Sequence, residues 1–279
     1  MPLNKVPRHT ACLAMMLFVI AVLTATRVAA CGMTTDCMIG DRTYRIALPE
    51  GNEGAAPIPA ILFVHGYRGK AANVMHNKAL LALTADPGVA LIAAQASGPE
   101  WNIPGVPSVD AAPGVDELQY FDALIDDAVR RFDIDRTRVM VAGFSSGAMM
   151  VWNLACNRGQ AYLGFVPMSG TFWEPLPERC PSGPVNLIHY HGTKDTIVPL
   201  QGRLLKDSHQ GDVTRAISLM VGHGTYTPRR STQTGDLKCD RQQNSTGRLL
   251  ELCLFPGKHQ MRVANIRRAW KIFATQSGE

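Results

Sequence analysis

The chain has 279 residues, of which 46% are hydrophobic and 18% are charged, and its formal net charge is +5. This composition excludes a disordered or coiled-coil protein and is sufficient for one domain with a full core. The three basic residues before residue 31 leave a balance near +2 for the remainder, which gives no basis for nucleic-acid binding.

The first thirty residues have the pattern of an export signal. Lys5 and Arg8 precede an apolar run from Ala11 to Ala25, and Val28-Ala29-Ala30 supplies small residues for cleavage. The apolar run is too short for a membrane-spanning helix. We therefore predict a signal peptide over residues 1–30, a single domain over 31–279 with no integral membrane segment, and a secreted or periplasmic location.

Six cysteines remain after the signal segment, and an even number in an exported protein predicts three disulfides. Our interpretation, one of fifteen connectivities, pairs sequence neighbours: Cys31 with Cys37, Cys156 with Cys180, and Cys239 with Cys253. No spacing is C-x-x-C, so no metal site is predicted. As an alternative, Val28-Ala29-Ala30-Cys31 resembles a lipoprotein cleavage box, which would place a lipid anchor on Cys31 and leave Cys37 unpaired.

Buried strands alternate with helical patterns along the rest of the chain. The predicted strands are 43–48 at an edge, 60–64, 89–94, 139–143, 163–168, 185–190 and 249–255. One predicted helix runs from after the strand 60–64 to about Ala85. The other predicted helices are 115–132, the segment after Gly147, 212–221 and 261–273. This alternation predicts an α/β fold with a mostly parallel, doubly wound sheet and helices on both faces. The Gly/Pro-rich stretch 96–114 is long enough to shape a site.

The most informative motif is Gly143-Phe144-Ser145-Ser146-Gly147, a G-x-S-x-G sequence between a predicted strand and a predicted helix. A serine at so tight a turn is held in strained backbone geometry with its hydroxyl clear of the sheet. The Ser146 amide then lies at a helix N-terminus, where it can donate to an oxyanion. The five letters alone also fit a simple Gly/Ser turn; their position between strand and helix favours a nucleophile.

A serine hydroxyl needs a base and an orienting acid to act as a nucleophile. Asp195 follows the strand 185–190 and His259 follows the strand 249–255, so both lie at carboxyl ends of strands, as Ser145 does. The order serine, acid, histidine is the one that nucleophile-elbow hydrolases use. His189 and His191 precede the acid and are interpreted as structural, whereas His209 and His223 remain rivals for the base.

Other residues near strand ends are candidates for the rest of a site. His65-Gly66-Tyr67 follows its strand where a second oxyanion donor is expected, which favours the Tyr67 amide. Trp101, Phe172 and Trp173 either line an aromatic acyl or sugar pocket or pack in the core, and the sequence leaves both open.

The chain resembles the polyhydroxybutyrate depolymerase and feruloyl esterase-like family of secreted α/β-hydrolases over most of 37–273. The resemblance lies in the motifs Gly-Phe-Ser-Ser-Gly-Ala-Met-Met, His-Gly-Thr-Lys-Asp-Thr-Ile-Val-Pro and Pro-Gly-Lys-His. It departs from the family at Lys258 and Gln260-Met261, where members often carry glycines before the histidine and an aromatic residue after it.

This resemblance implies a secreted serine esterase with an α/β-hydrolase catalytic domain. It implies Ser145 as nucleophile, Asp195 as acid, His259 as base, and Tyr67 and Ser146 as backbone donors. It implies a small-molecule or oligomeric ester as substrate, with no cofactor and no metal. The alternatives are a peptidase or acyltransferase on the same fold, or a secreted polymer- or glycan-binding protein whose triad no longer acts.

Overall fold

A computed structural model describes residues 1–2, 31–51, 57–107, 113–222 and 224–276. The predicted signal segment, apart from its first two residues, lies outside this part of the chain, and so does His223. No helix within the described ranges combines the length and the apolar character needed to cross a membrane.

The strands of the described residues form one large sheet and a small separate hairpin. The sheet has ten strands: β1 (Cys37–Ile39), β2 (Arg42–Ala47), β3 (Ile58–Val64), β4 (Ala90–Ala94), β5 (Ile134–Phe144), β6 (Gly164–Met168), β7 (Leu187–Gly192), β10 (Arg230–Thr234), β11 (Leu237–Gln243) and β12 (Leu249–Phe255). The hairpin joins β8 (Leu204–Leu205) to β9 (Ser208–His209).

The centre of the sheet is parallel and its edges are antiparallel. The strand order is β1-β2-β4-β3-β5-β6-β7-β12-β11-β10, and the run from β4 to β12 is parallel throughout. The parallel strands are almost entirely buried, as expected for strands covered on both faces. The predicted mostly parallel, doubly wound α/β sheet is confirmed.

Helices cover both faces of the sheet. They are α1 (Ala71–His76), α2 (Lys78–Ala85), α3 (Glu117–Phe132), α4 (Ser146–Arg158), α5 (Val213–Val221) and α6 (Val263–Gln276), with a short 3₁₀ turn at Gly159–Ala161. The apolar residues of α3, α4 and α5 belong to one buried cluster, and those of α1, α2 and α6 to the other. The sheet therefore lies between two helical layers, and its carboxyl-end loops stay open to the surface.

Several elements differ from the sequence prediction. The helix expected to run to Ala85 is divided at Asn77, whose side chain accepts from the amides of Ala79 and Leu80 and so starts a new helix. β1, β10 and β11 were not predicted. β10 is polar and fully exposed along its length, so it carries no hydrophobic pattern from which a strand could be inferred.

The six described cysteines form three disulfides between sequence neighbours: Cys31–Cys37, Cys156–Cys180 and Cys239–Cys253. Cys156 lies in α4, the helix that begins directly after Ser145, and Cys180 lies in the long connection before β7. The second disulfide therefore fastens that connection to the helix of the serine turn.

Loop closure predicts that the disulfides differ in their effect on stability. Changing both Cys156 and Cys180 to alanine is expected to lower the free energy of unfolding by about 3 kcal/mol, because the bond spans 24 residues. The same change at Cys31 and Cys37, which are 6 residues apart, is expected to lower it by about 2 kcal/mol. Urea denaturation of both double variants measures this, and a larger loss at the shorter loop would contradict the prediction.

Candidate active site

The turn between β5 and α4 holds Ser145 in a strained backbone conformation. Its φ of 58° and ψ of −124° lie outside the regions that residues with a side chain ordinarily adopt. The turn is fixed by two backbone hydrogen bonds, from the Ser145 amide to the Met168 carbonyl at 3.0 Å and from the Met149 amide to the Ser145 carbonyl at 3.1 Å. Such strain persists only where the surrounding structure enforces it, and it directs the Oγ away from the sheet.

Gly147 lets the serine turn pack directly against β3. A Cβ at this position would overlap the carbonyl oxygens of Val64 and His65 at the end of that strand. We therefore expect Gly147→Ala to lower the free energy of unfolding by about 3 kcal/mol, in the upper part of the range for overpacked cores.

Urea denaturation tests this expectation. Gly32→Ala is the matched control, since the nearest atom to its new Cβ is 3.8 Å away and its φ is not positive. Equal stability of the two glycine variants would show that the contact between α4 and β3 is not tight.

The turns that carry Asp195 and His259 are joined to each other through the backbone. The amide of Thr193 donates to the carbonyl of Phe255, and that of Lys194 to the carbonyl of Gly257, both at 2.8 Å. Gly192, at the end of β7, makes this approach possible, because a Cβ there would overlap the carbonyl oxygens of Gly257 and Lys258. The parallel neighbours β7 and β12 thus present an acid and a histidine side by side.

The structure brings Ser145, His259 and Asp195 into one hydrogen-bonded chain. The His259 Nε2 lies 2.9 Å from the Ser145 Oγ, and its Nδ1 lies 2.8 Å from the Asp195 Oδ2. Since a carboxylate only accepts, Nδ1 carries the hydrogen and Nε2 is free to accept from the hydroxyl. Phe144 packs against the imidazole with a centroid separation of 4.7 Å. The arrangement can remove a proton from Ser145.

Asp195 is a buried carboxylate with several donors around it. Its Oδ1 accepts from the amides of Ile197 and Val198, both at 2.9 Å, and its Oδ2 faces His259. Burial by itself would raise its pKa, but the donors from His191, His259 and the Val198 amide outweigh this and hold the pKa well below the usual range. Asp195 is therefore ionised at neutral pH, and its carboxylate can accept the hydrogen bond from the His259 Nδ1.

A cavity of about 250 Å³ opens beside Ser145. Its wall includes Tyr67 and Ser146, the two residues whose amides were expected as oxyanion donors. Ser146 is the first residue of α4, where a helix amide has no partner within the helix. At the end of β3, Gly66 approaches the serine turn closely, since a Cβ on Gly66 would lie 3.3 Å from the Cβ of Ser145.

Of the three aromatic residues expected in a pocket, only Trp173 lines this cavity. Trp101 is fully buried in the core, where it packs against Phe121 and its indole N–H donates to the His65 carbonyl at 2.8 Å. Phe172 is also buried and packs against Trp152. For Trp101 and Phe172 the structure therefore shows the second alternative, packing in the core.

The remaining histidines separate into two groups. His209, once a rival for the base, lies in β9 with its Nδ1 3.4 Å from the Glu174 carboxylate. His189 and His191 lie in β7, fully buried, and His191 Nε2 is 3.5 Å from Asp195 Oδ2. From the sequence both residues were interpreted as structural, and the contact of His191 with Asp195 was not predicted. The sequence signal for their pairing was the spacing of His189 and His191, because residues two positions apart in a strand lie on the same face.

One group of residues in the described ranges has the composition of a metal site: Cys239, Glu251 and Cys253. The two sulfurs are bonded to each other, and Glu251 is occupied by ion pairs with Arg241 and Arg268. A disulfide does not supply the thiolates that bind a metal, so this cluster does not fit an ion.

The chain is similar to several known esterases. A family model described as phospholipase/carboxylesterase matches residues 108–226. The putative esterase NocK from Nocardia uniformis subsp. tsuyamanensis is 28% identical over 190 residues, which are 65% of this chain and 51% of that protein. A probable feruloyl esterase C from Aspergillus clavatus is 23% identical over 206 residues, 70% of this chain and 71% of that protein. The chain thus spans about half the length of the Nocardia relative.

A solved structure extends the similarity to the fold. The acetyl xylan esterase from Aspergillus awamori superposes with a TM-score of 0.61 at 14% identity, over 84% of this chain and 94% of that one. At this level of identity, the two chains share a fold, while the specificity of the site is set by individual residues.

Proposed function

We propose that the chain, which has the α/β-hydrolase fold and resembles feruloyl esterases, is an exported serine esterase. The observation that carries the proposal is the hydrogen-bonded chain from the Ser145 Oγ through His259 to Asp195. The three disulfides support export, since such bonds persist in oxidising compartments.

In this mechanism Ser145 attacks the ester carbonyl while the His259 Nε2 takes the hydroxyl proton. Asp195 holds the imidazole in the required tautomer and stabilises the imidazolium as it forms. The amides of Tyr67 and Ser146 stabilise the oxyanion of the tetrahedral intermediate. His259 then returns the proton to the departing alcohol, and water, activated by the same imidazole, releases the acid from the acyl-enzyme.

The cavity beside Ser145 sets the size of the substrate. A volume of about 250 Å³ with Met149, Val198 and Trp173 on its wall suits a compact acyl group. We propose a small-molecule ester or an oligomeric ester that presents one such group at a time. The reaction as written requires no cofactor.

The test is active-site labelling combined with a substrate panel. A fluorophosphonate probe is expected to modify Ser145, identified by mass spectrometry of the labelled peptide, and the purified protein is expected to hydrolyse nitrophenyl acetate and butyrate. A well-folded protein that neither reacts with the probe nor hydrolyses these esters would instead be a binding protein with an inactive triad.

Further members of the panel separate the enzyme alternatives. Faster cleavage of peptides than of esters would identify a peptidase, and ester products formed with added alcohols in preference to free acid would identify an acyltransferase. A series running from acetyl through hydroxybutyryl to feruloyl esters then ranks the acyl groups that the cavity accepts.

A further inference from the structure

Two buried histidines extend the hydrogen-bonded chain behind Asp195. His189 and His191 lie on the same face of β7, and neither is exposed to solvent. The His189 Nε2 lies 2.9 Å from the His191 Nδ1, and the His191 Nε2 lies 2.8 Å from the Val198 carbonyl oxygen. The same His191 Nε2 is 3.5 Å from the Asp195 Oδ2. The chain of polar contacts therefore runs from the core to the acid.

The tautomers of both rings follow from their partners. A carbonyl only accepts, so the His191 Nε2 carries a hydrogen. The His189 Nδ1 has no partner among the described residues, and a hydrogen there would be a buried donor left unsatisfied. The His189 hydrogen therefore lies on Nε2 and is donated to the His191 Nδ1. Burial, together with the neighbouring His191, lowers the pKa of His189 well below its ordinary value and keeps the ring uncharged.

His191 contacts both Asp195 and Val198, the first and last residues of the turn that presents the acid. Val198 donates its amide to the Asp195 Oδ1 and accepts from His191 through its carbonyl. The position of this turn relative to β7 is thus set by the His191 ring, whose Nε2 also lies 3.5 Å from the carboxylate oxygen that faces His259. We propose that His191, held by its hydrogen bonds to His189 and to the Val198 carbonyl, is a positioning residue for Asp195; the inference rests on the proposed esterase function.

A packing role alone does not account for these residues. His189 packs against Trp152 in the main apolar cluster, with a centroid separation of 5.6 Å, and an apolar ring in either position would avoid burying polar nitrogens. The two linked hydrogen bonds, from His189 to His191 and from His191 to the Val198 carbonyl, restrict the rings to one arrangement. Here that arrangement ends at the acid.

The experiment compares two replacements of His191 in an ester assay, with rates expressed per site labelled by a fluorophosphonate. His191→Phe keeps the ring shape but cannot donate to Val198, and kcat is expected to fall about 10- to 100-fold with KM within about twofold, because bound substrate does not touch His191. His191→Gln retains an amide donor near the former Nε2 and is expected to recover most of kcat.

Tyr190→Phe is the matched control. Tyr190 is buried on the opposite face of the same strand and makes a hydrogen bond with Arg268, so its loss perturbs β7 without reaching Asp195. This variant is expected to lower the midpoint of urea unfolding while leaving kcat unchanged.

Two results would overturn the proposal: a wild-type kcat per labelled site in His191→Phe, or a Gln variant as slow as the Phe variant. If His191→Phe does not fold, His189→Phe decides. It removes the hydrogen bond that the His189 Nε2 donates to the His191 Nδ1, which loosens the His191 ring, and it is expected to lower kcat several-fold at unchanged KM. An unchanged kcat in this variant overturns the proposal. Ser145→Ala is assayed alongside. Hydrolysis that does not depend on Ser145 would refute the esterase function itself, which is a different failure.

Discussion

Replacing Ser145 with alanine is expected to lower kcat for a nitrophenyl ester by about 10⁵- to 10⁶-fold, the scale seen when a triad nucleophile is removed. Alanine retains the shape of the turn but provides no oxygen to form the acyl-enzyme, so His259 has no proton to accept from it. Because the only side-chain hydrogen bond of the Ser145 Oγ within the described residues is the one with His259, the fold is expected to stay intact. Initial rates at saturating substrate measure the loss, and circular dichroism verifies the fold.

The neighbouring serine provides a matched control. The hydroxyl of Ser146 is buried without a hydrogen-bond partner among the described residues, and its proposed role uses only the backbone amide. Ser146→Ala keeps that amide and is expected to retain kcat within a few-fold. Comparable losses in the two variants would mean that the turn as a whole is required, and retained activity in Ser145→Ala would assign the nucleophile to another residue.

The meeting of Ser145, Asp195 and His259 could be predicted from the sequence because each follows a strand of strong apolar pattern. Carboxyl ends of parallel strands share one edge of a sheet, so the positions of β5, β7 and β12 in the sequence were sufficient to bring three distant residues together. The fold class followed from the same alternation of strands and helices.

The features that could not be predicted depend on contacts between residues that are distant in the sequence. β10 and β11 are paired mainly by their backbones, and the exposed side chains of β10 give no periodic signal. Whether Trp101 faces a cavity or the core is decided by Phe121 and the His65 carbonyl, which are 20 and 36 positions away in sequence. The contact between His191 and Asp195 likewise depends on how the turn to Val198 folds back.

Replacing Asp195 with asparagine is expected to lower kcat by about 10⁴-fold at neutral pH, a loss of the size recorded for this change in serine proteases. The geometry gives the reason. The amides of Ile197 and Val198 both donate to the Asp195 Oδ1, so an asparagine places its carbonyl oxygen there and turns its NH₂ group toward His259. The Nδ1 of the imidazole must then accept, its hydrogen moves to Nε2, and the ring can no longer take a proton from Ser145.

The same substitution has a consequence for stability that depends on pH. Because the pKa of Asp195 is depressed in the folded state, its ionised form stabilises the protein above the unfolded value of about 3.9, and this stabilisation is lost as the pH falls toward the folded pKa. The difference in free energy of unfolding between wild type and Asp195→Asn is therefore expected to be largest near neutral pH and to shrink below about pH 4.

Asp212→Asn is the control for both measurements. Asp212 also accepts from a backbone amide, that of Arg215 at the start of α5, but it is remote from the histidine chain, and asparagine caps a helix as well as aspartate does. This variant is expected to keep wild-type kcat. If Asp195→Asn also keeps the wild-type kcat, the tautomer of His259 does not depend on the Asp195 carboxylate. In that case Asp195 is not the acid of the triad.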